Sequence, residues 1–224
     1  MLIETVRALF SYCFREFRGL DRSPGNSYSD EVASNYLGTR PDWAQEQDAV
    51  EGLLDSLPNG LSCLDIPVGP GRFLGKYKEK CFTVTGLDLS ADMLAIASKE
   101  AASIGSIDDV RLGVSDVTKL PFADNEFDLC VSTRFLDGNI TYSELRMALA
   151  ELSRVTRGKA IFHLTYRTRA VSVPLRSNRV IAGRLTEDKL LSLLASFGFI
   201  PISSVATVVR ETSTAVMYLL VKAP

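Results

Sequence analysis

The sequence contains very little histidine and cysteine. His163 is the single histidine in 224 residues, which excludes a metal site built from several histidines and makes a Ser-His-Asp hydrolase improbable. The four cysteines form no C-x-x-C pair and sit among apolar residues, where a thiol packs as a small hydrophobe. We therefore expect no bound metal, no disulfide framework and a reducing, cytoplasmic location.

Long apolar runs and a strong net charge are absent as well. No apolar stretch reaches the roughly 18 residues that span a bilayer, and charged residues interrupt the first 20 positions, so no cleaved secretory signal is expected. A net charge of -2 argues against a nucleic-acid partner bound through bulk charge. With 46% hydrophobic residues over this length, the sequence predicts one folded domain with a short appendage.

Residues 1–40 are predicted to be the appendage and residues 41–224 the domain. Apolar residues recur at three- and four-residue steps between Leu2 and Leu20, which predicts an amphipathic helix. It would pack on its own domain or on a second copy of the chain, giving a homodimer, or would lie on a membrane surface. Pro24 and Gly25 mark a linker after it.

From residue 41 onward, short apolar segments alternate with helical patterns. The strand candidates are 61–66, 82–87, 110–114, 127–132, 159–164, 202–209 and 215–221. Helices are predicted over 41–57, from a Ser90 cap to Gly105, from a Thr141–Glu144 capping box onward, and from a Thr186 cap to Gly198. This order predicts a doubly wound, Rossmann-like α/β fold: a mostly parallel seven-stranded sheet with an antiparallel last strand and helices on both faces.

A glycine-containing loop follows the first strand. Gly69 and Gly71 let the backbone bend sharply and approach a ligand closely. A dinucleotide-binding loop needs a third glycine where Leu74 stands, so a nicotinamide-dependent oxidoreductase is disfavoured. Asp65 would also repel a pyrophosphate and suits a cationic ligand better.

Four separated motifs together resemble the class I S-adenosylmethionine-dependent methyltransferases. They are LDIPVGPGRF at 64–73, GLDLS at 86–90, SDV at 115–117 with LPF at 120–122, and FDL at 127–129. The resemblance covers roughly residues 40 to 224 and implies S-adenosyl-L-methionine as the cofactor. The family usually has glycine where Pro67 stands, and proline lacks the N–H group, so the contact made by that amide must be absent or replaced.

The resemblance also assigns cofactor-binding positions. Asp65, Gly69 and Gly71 would border the methionyl part of the cofactor, and Pro67 is a further cofactor-binding position of the same loop. Asp88 would accept hydrogen bonds from the ribose hydroxyls and Asp116 one from the adenine amino group. Val117 and Leu89 would bracket the adenine ring.

The residues that contact the acceptor are less clearly marked. The fourth strand ends without the N/D-P-P-Y/F motif of enzymes that methylate nucleobase amines, so nucleobase methylation is disfavoured. Catalytic candidates are Asp137 as a general base, His163, and Tyr166, which is expected to face the same side of the strand as His163.

A basic stretch suggests the charge of the acceptor. No acidic residue occurs between Glu151 and Glu187, and this stretch contains eight arginines and lysines. An acceptor with a phosphate or carboxylate group would fit. The candidate substrate-binding residues are Arg134, Arg167 and Arg169, with Tyr28, Tyr36 and Arg40 in a segment that would form a lid.

The predicted activity is O-methylation of a small-molecule, glycan or lipid-precursor acceptor. Two alternatives remain open: a non-catalytic methyltransferase-like subunit that acts through partners, and an NAD(P)-dependent oxidoreductase.

Overall fold

The computed structural model describes residues 43–106, 108–136, 140–168 and 185–223. The strands are β1 Ser62–Asp65, β2 Thr83–Asp88, β3 Val110–Val114, β4 Phe127–Ser132, β5 Thr156–Arg167, β6 Phe199–Val209 and β7 Ser213–Lys222. The helices are α1 Trp43–Asp55, α2 Leu74–Glu79, α3 Ala91–Ser103, α4 Tyr142–Val155 and α5 Glu187–Ser196. Residues 1–42 lie outside the described part, so the domain boundary and the N-terminal helix stay predictions.

The seven strands form one sheet in the order β3-β2-β1-β4-β5-β7-β6. The pairs from β3 through β5 are parallel, whereas β7 is antiparallel to both β5 and β6. This confirms the predicted fold class. Strand order reverses between β1 and β4, and in such sheets ligands bind beyond the carboxyl ends of the strands at this switch point.

Helices cover both faces of the sheet. Leu149 and Leu152 of α4 pack with Phe162 and Leu164 of β5 in one apolar cluster, which also includes α5. The opposite face carries a second cluster formed with α1, α2 and α3, to which Ile161 of β5 contributes. Each fully buried side chain of this size contributes roughly 1.5–3 kcal/mol to folding.

The three predicted helix N-caps differ in the hydrogen bonds that their side chains make. The capping box is confirmed: the Glu144 N–H donates to Thr141 Oγ1 at 3.2 Å, and the Thr141 N–H donates to Glu144 Oε2 at 2.7 Å. Ser90 Oγ accepts from the Met93 N–H at 3.3 Å. Thr186 is the N-cap residue of α5, but its side chain makes no capping hydrogen bond.

Several strands extend beyond their predicted ends, β5 and β6 among them. β5 runs from Thr156 to Arg167, and β6 begins at Phe199. β5 lies between β4 and β7, and it pairs with β7 as far as Arg167. This pairing satisfies backbone N–H and C=O groups of β5 residues that lie outside the apolar run from which the strand was predicted. Within the described residues, no helix combines the length and apolar character needed to cross a membrane.

Candidate functional site

The loop after β1 is anchored to the strands on either side. The Ile66 N–H donates to the Val131 carbonyl of β4 at 3.0 Å, and the Val68 N–H donates to the Leu87 carbonyl of β2 at 2.8 Å. Pro67 lies between these two donors and follows a cis peptide bond. The amides on both sides of Pro67 therefore hold the loop at the switch point.

The two loop glycines are required for different reasons. Gly71 has φ +87°, and a Cβ atom there would lie 2.7 Å from Leu74 Cδ1 and 3.2 Å from the backbone Cα of Ala97. Gly69 has φ +56°, yet a Cβ atom would meet nothing within 4 Å. The helix side of the loop is thus closely packed, whereas the space beside Gly69 is open.

Asp88 connects the end of β2 to this loop. Its Oδ2 accepts from the Gly69 N–H at 3.0 Å, and its Oδ1 accepts from the Ser90 N–H at 2.8 Å. Burial raises the pKa of Asp88, while the amides of Ser90 and Gly69 act in the opposite direction. The carboxylate therefore fixes the loop and the start of α3 together.

Asp65 is the most deeply buried carboxyl group of the site, with only 1% of its surface exposed. Burial raises its pKa to about 8; the Tyr77 hydroxyl and Arg72 lower the pKa, and the nearby Asp88 raises it. Tyr77 donates to Asp65 Oδ2 at 3.1 Å, but Oδ1 has no hydrogen-bond partner. A protonated carboxyl group at neutral pH follows from this environment.

Asp116 lies two residues beyond the end of β3. Its Oδ1 accepts from both the N–H and the hydroxyl of Thr118 at 2.8 Å, which fixes the turn. Val117 belongs to the apolar core, whereas Leu89 is 58% exposed. Of the two residues predicted to bracket a ring, Leu89 has the freer side chain.

Buried polar atoms without partners follow the same edge of the sheet. They are Asp65 Oδ1 at the end of β1, Ser115 Oγ after β3 and Ser132 Oγ at the end of β4. Buried polar groups almost always have a hydrogen-bond partner in folded proteins, so unpaired ones in a row indicate a place for a polar ligand. These atoms, the open space at Gly69 and the acidic strand ends fit a cofactor with cationic and hydroxyl groups.

A buried ion cluster that includes a residue of α1 was not predicted from the sequence. Glu46 is only 3% exposed and lies 2.6 Å from Arg134 Nε and 3.4 Å from Arg72 Nη1. The Arg72 guanidinium lies 4.2 Å from the centre of the Trp43 ring. The available signal was helical spacing: Glu46 stands three residues after Trp43 and four before Val50, on the apolar stripe of α1.

His163 is held inside the sheet. It is 3% exposed, and its Nε2 lies 3.2 Å from Thr207 Oγ1. The Thr207 hydroxyl donates its proton to the Ala215 carbonyl at 3.2 Å, so it accepts from His163 Nε2, which must carry the hydrogen. These contacts are those of a structural imidazole, and a catalytic role of His163 stays a prediction.

The expectation that Tyr166 faces the same side as His163 is wrong. β5 pairs with β7 without a bulge from Lys159 to Arg167, so its residues alternate regularly between the two faces. Tyr166 packs against the cluster that contains Leu164. His163 is an odd number of residues away and therefore points to the opposite face.

The remaining predicted acceptor residues are only partly described. Arg134 follows β4 and has φ +56°, and Arg167 is the last residue of β5, where its N–H donates to the Leu185 carbonyl at 2.8 Å. The other candidates lie outside the described residues: Tyr28, Tyr36, Arg40, Asp137 and Arg169.

Comparisons with known proteins agree with this geometry. Residues 63–159 match the family model described as a methyltransferase domain. A malonyl-[acyl-carrier protein] O-methyltransferase from Erwinia billingiae is 38% identical over 105 residues, 46% of this chain and 38% of the relative. A demethylmenaquinone methyltransferase from Renibacterium salmoninarum is 36% identical over 150 residues, 62% of this chain and 57% of the relative. This chain therefore spans about half the length of these relatives or less.

A solved structure shares the fold. The crystal structure of the PH0226 protein from Pyrococcus horikoshii OT3 has a TM-score of 0.62 and 25% sequence identity, covering 80% of this chain and 92% of that one. The similarity therefore covers a larger part of the chain than the family match does.

Proposed function

Because this chain carries a class I S-adenosylmethionine-dependent methyltransferase domain at residues 63–159, we propose that the protein transfers the S-methyl group of that cofactor to a small anionic acceptor. S-adenosylmethionine is the cofactor of the family. The observation that carries the proposal is the row of carboxyl groups and unpaired polar atoms at the switch point.

The cofactor-binding roles follow from position along this edge. Asp88, the last residue of β2, would bind the ribose hydroxyls, and Asp116, two residues beyond the adjacent strand β3, would bind the adenine amino group. Gly69 leaves room for the cofactor, and the ionised form of Asp65 would stabilise its positive charge. Leu89 would cover one face of the adenine.

The bound cofactor supplies a methyl group on a positively charged sulfur, which an acceptor attacks in line. The protein's part is to hold the acceptor at the carboxyl ends of β4 and β5 and to exclude water. A hydroxyl acceptor also needs a group that removes its proton, and Asp137 is our candidate for that base.

Arginines at these two strand ends support an anionic acceptor. Arg167 ends β5, the strand next to β4, and Arg169 continues the basic stretch. Arg134 follows β4, but its Nε already donates to Glu46, so its charge is partly compensated. A guanidinium group pairs well with a carboxylate or a phosphate. The Erwinia relative is named for O-methylation of a malonyl group, which carries a carboxylate. We therefore favour transfer to oxygen.

Calorimetric titration of the full chain with S-adenosylhomocysteine tests the cofactor site. We expect the wild type to bind this thioether and not NAD, and Asp88→Asn to bind it about 10 to 100 times more weakly, because a hydrogen bond to a charged group is worth roughly 1.5–3 kcal/mol. Asp128→Asn is the matched control, since Asp128 lies at the opposite end of β4. Absence of binding by the wild type would favour the non-catalytic alternative, and binding of NAD would favour the oxidoreductase.

Screening candidate acceptors with a labelled methyl donor tests the second half of the proposal. We expect carboxylates or phosphate esters to gain the label and Arg167→Gln to raise the acceptor KM. Equal labelling of uncharged acceptors would contradict an anionic substrate.

A further inference from the structure

We propose that Glu46 is a positioning residue that holds the glycine loop and residues 133–136, the described start of the loop after β4, in one fixed arrangement. This inference rests on the proposed function, because the first loop would bind the cofactor and the second the acceptor. Glu46 lies on α1, before the first strand, and neither loop is close to it in the sequence.

One carboxylate oxygen reaches both loops. Glu46 Oε2 accepts from Arg134 Nε at 2.6 Å and lies 3.4 Å from Arg72 Nη1. Arg72 directly follows Gly71, and Arg134 is two residues beyond the end of β4. Because β1 and β4 are adjacent and parallel, the shared oxygen bridges the two sides of the switch point.

Neighbouring residues of α1 hold Arg72 from other directions. Gln47 Oε1 accepts from Arg72 Nε and Nη2, both at 3.3 Å, and the Trp43 carbonyl accepts from Nη2 at 3.3 Å. The Arg72 guanidinium also stacks over the Trp43 ring. The first turns of α1 therefore fix the residue that follows the glycine loop through its whole guanidinium group.

The burial of the cluster makes the negative charge of Glu46 important. The Glu46 and Arg72 side chains are 4% and 8% exposed, and that of Arg134 is 17% exposed. Removing one partner of a buried ion pair leaves a charge unpaired in a medium that solvates it poorly. Without the Glu46 charge, both arginine side chains would move toward solvent, and the two loops that carry them would lose their fixed conformation.

The expected consequence is weaker ligand binding as well as lower stability. A loop that is already ordered in the free protein loses little conformational entropy when the ligand binds. A variant whose loops are disordered before binding must lose that entropy on binding, and so it binds the ligand more weakly. By linkage, a ligand that orders one loop would also favour order in the other. A purely structural ion pair would lower the melting temperature without changing the affinity of the folded protein.

The experiment compares Glu46→Gln with Asp128→Asn in the full chain. Asp128 bridges Arg157 Nε at 3.0 Å and Ser62 Oγ at 2.8 Å, and so joins β1, β4 and β5 at the other end of the sheet. We expect both variants to melt below the wild type. Only Glu46→Gln should bind S-adenosylhomocysteine about tenfold more weakly and show faster hydrogen exchange in residues 69–74 and 132–136.

Several results would overturn the inference. An unchanged affinity in Glu46→Gln with normal exchange in both loops would make Glu46 a purely structural residue. If Glu46→Gln does not fold, Glu46→Asp replaces it in the same experiment. The shorter side chain should also weaken thioether binding and speed hydrogen exchange in both loops, but by less. Unchanged affinity and exchange in Glu46→Asp would refute the proposal equally. If the wild type does not bind the thioether, the proposed function fails, and exchange in the two loops still decides the role of Glu46.

Discussion

Binding of S-adenosylhomocysteine should tighten as the pH rises from 6 to 9, because the buried Asp65 must lose a proton to face a cation. Burial raises the pKa of Asp65 to about 8, so the unliganded protein holds the proton at neutral pH. The ammonium group of the ligand is positively charged at neutral pH, and it favours the ionised carboxylate. Ligand binding should therefore release a proton.

The size of the effect follows from this pKa. With a pKa of about 8, roughly one-tenth of the Asp65 groups are ionised at pH 7 and roughly nine-tenths at pH 9. When only the ionised form binds well, the apparent Kd is divided by that fraction. The ionisation of Asp65 alone should thus raise the affinity about tenfold between pH 7 and pH 9.

Calorimetric titration of the wild type and Asp65→Asn across this range is the assay. The ligand's own amino group also titrates within this range. This contribution is common to both proteins, so the ratio of their Kd values isolates Asp65. Repeating the titration at pH 7 in buffers of different ionisation enthalpy should show release of about one proton by the wild type alone. A constant Kd ratio, or no proton release, would refute the reasoning.

The same pKa has the opposite effect on stability. A carboxyl group whose pKa is higher in the folded state than in the unfolded state binds its proton more tightly in the folded state. The free energy of unfolding therefore falls as the pH rises from about 4 to about 8, by at most about 1.4 kcal/mol per pH unit. Asp65→Asn removes this loss. Its melting temperature should exceed that of the wild type at pH 8, and the difference should shrink toward pH 4; a difference independent of pH would contradict the assignment.

Two further predictions concern the supports of the site. Gly71→Ala should lower the free energy of unfolding by about 1–3 kcal/mol and weaken thioether binding, because φ is +87° and the new Cβ would lie 2.7 Å from Leu74 Cδ1. Gly69→Ala has space for its Cβ and should destabilise the protein less. Equal melting temperatures of the two variants would contradict this. Arg154→Ala should lower the melting temperature by about 2 to 8 °C, because it removes bonds to Glu151 and to two backbone carbonyls before β4; calorimetry showing no shift would contradict it.

The order of helices and strands and the edge that holds the site were predictable from local sequence. β3 and β4 begin and end where their apolar runs do. Parallel strands connected by helices bring their carboxyl ends to one edge, so the placing of Asp65, Asp88 and Asp116 along that edge follows from chain order alone.

Tertiary packing decided the rest. The Glu46–Arg134 pair joins residues 88 positions apart, and no local pattern shows whether a helical carboxylate is buried or solvated. The pKa of Asp65 depends on its burial beside Tyr77 and Asp88, which β1 acquires only when α2 and β2 pack against it. Periodicity depends on bonds along the chain, whereas charge pairing, desolvation and proton affinity depend on distances that exist only after the chain has folded.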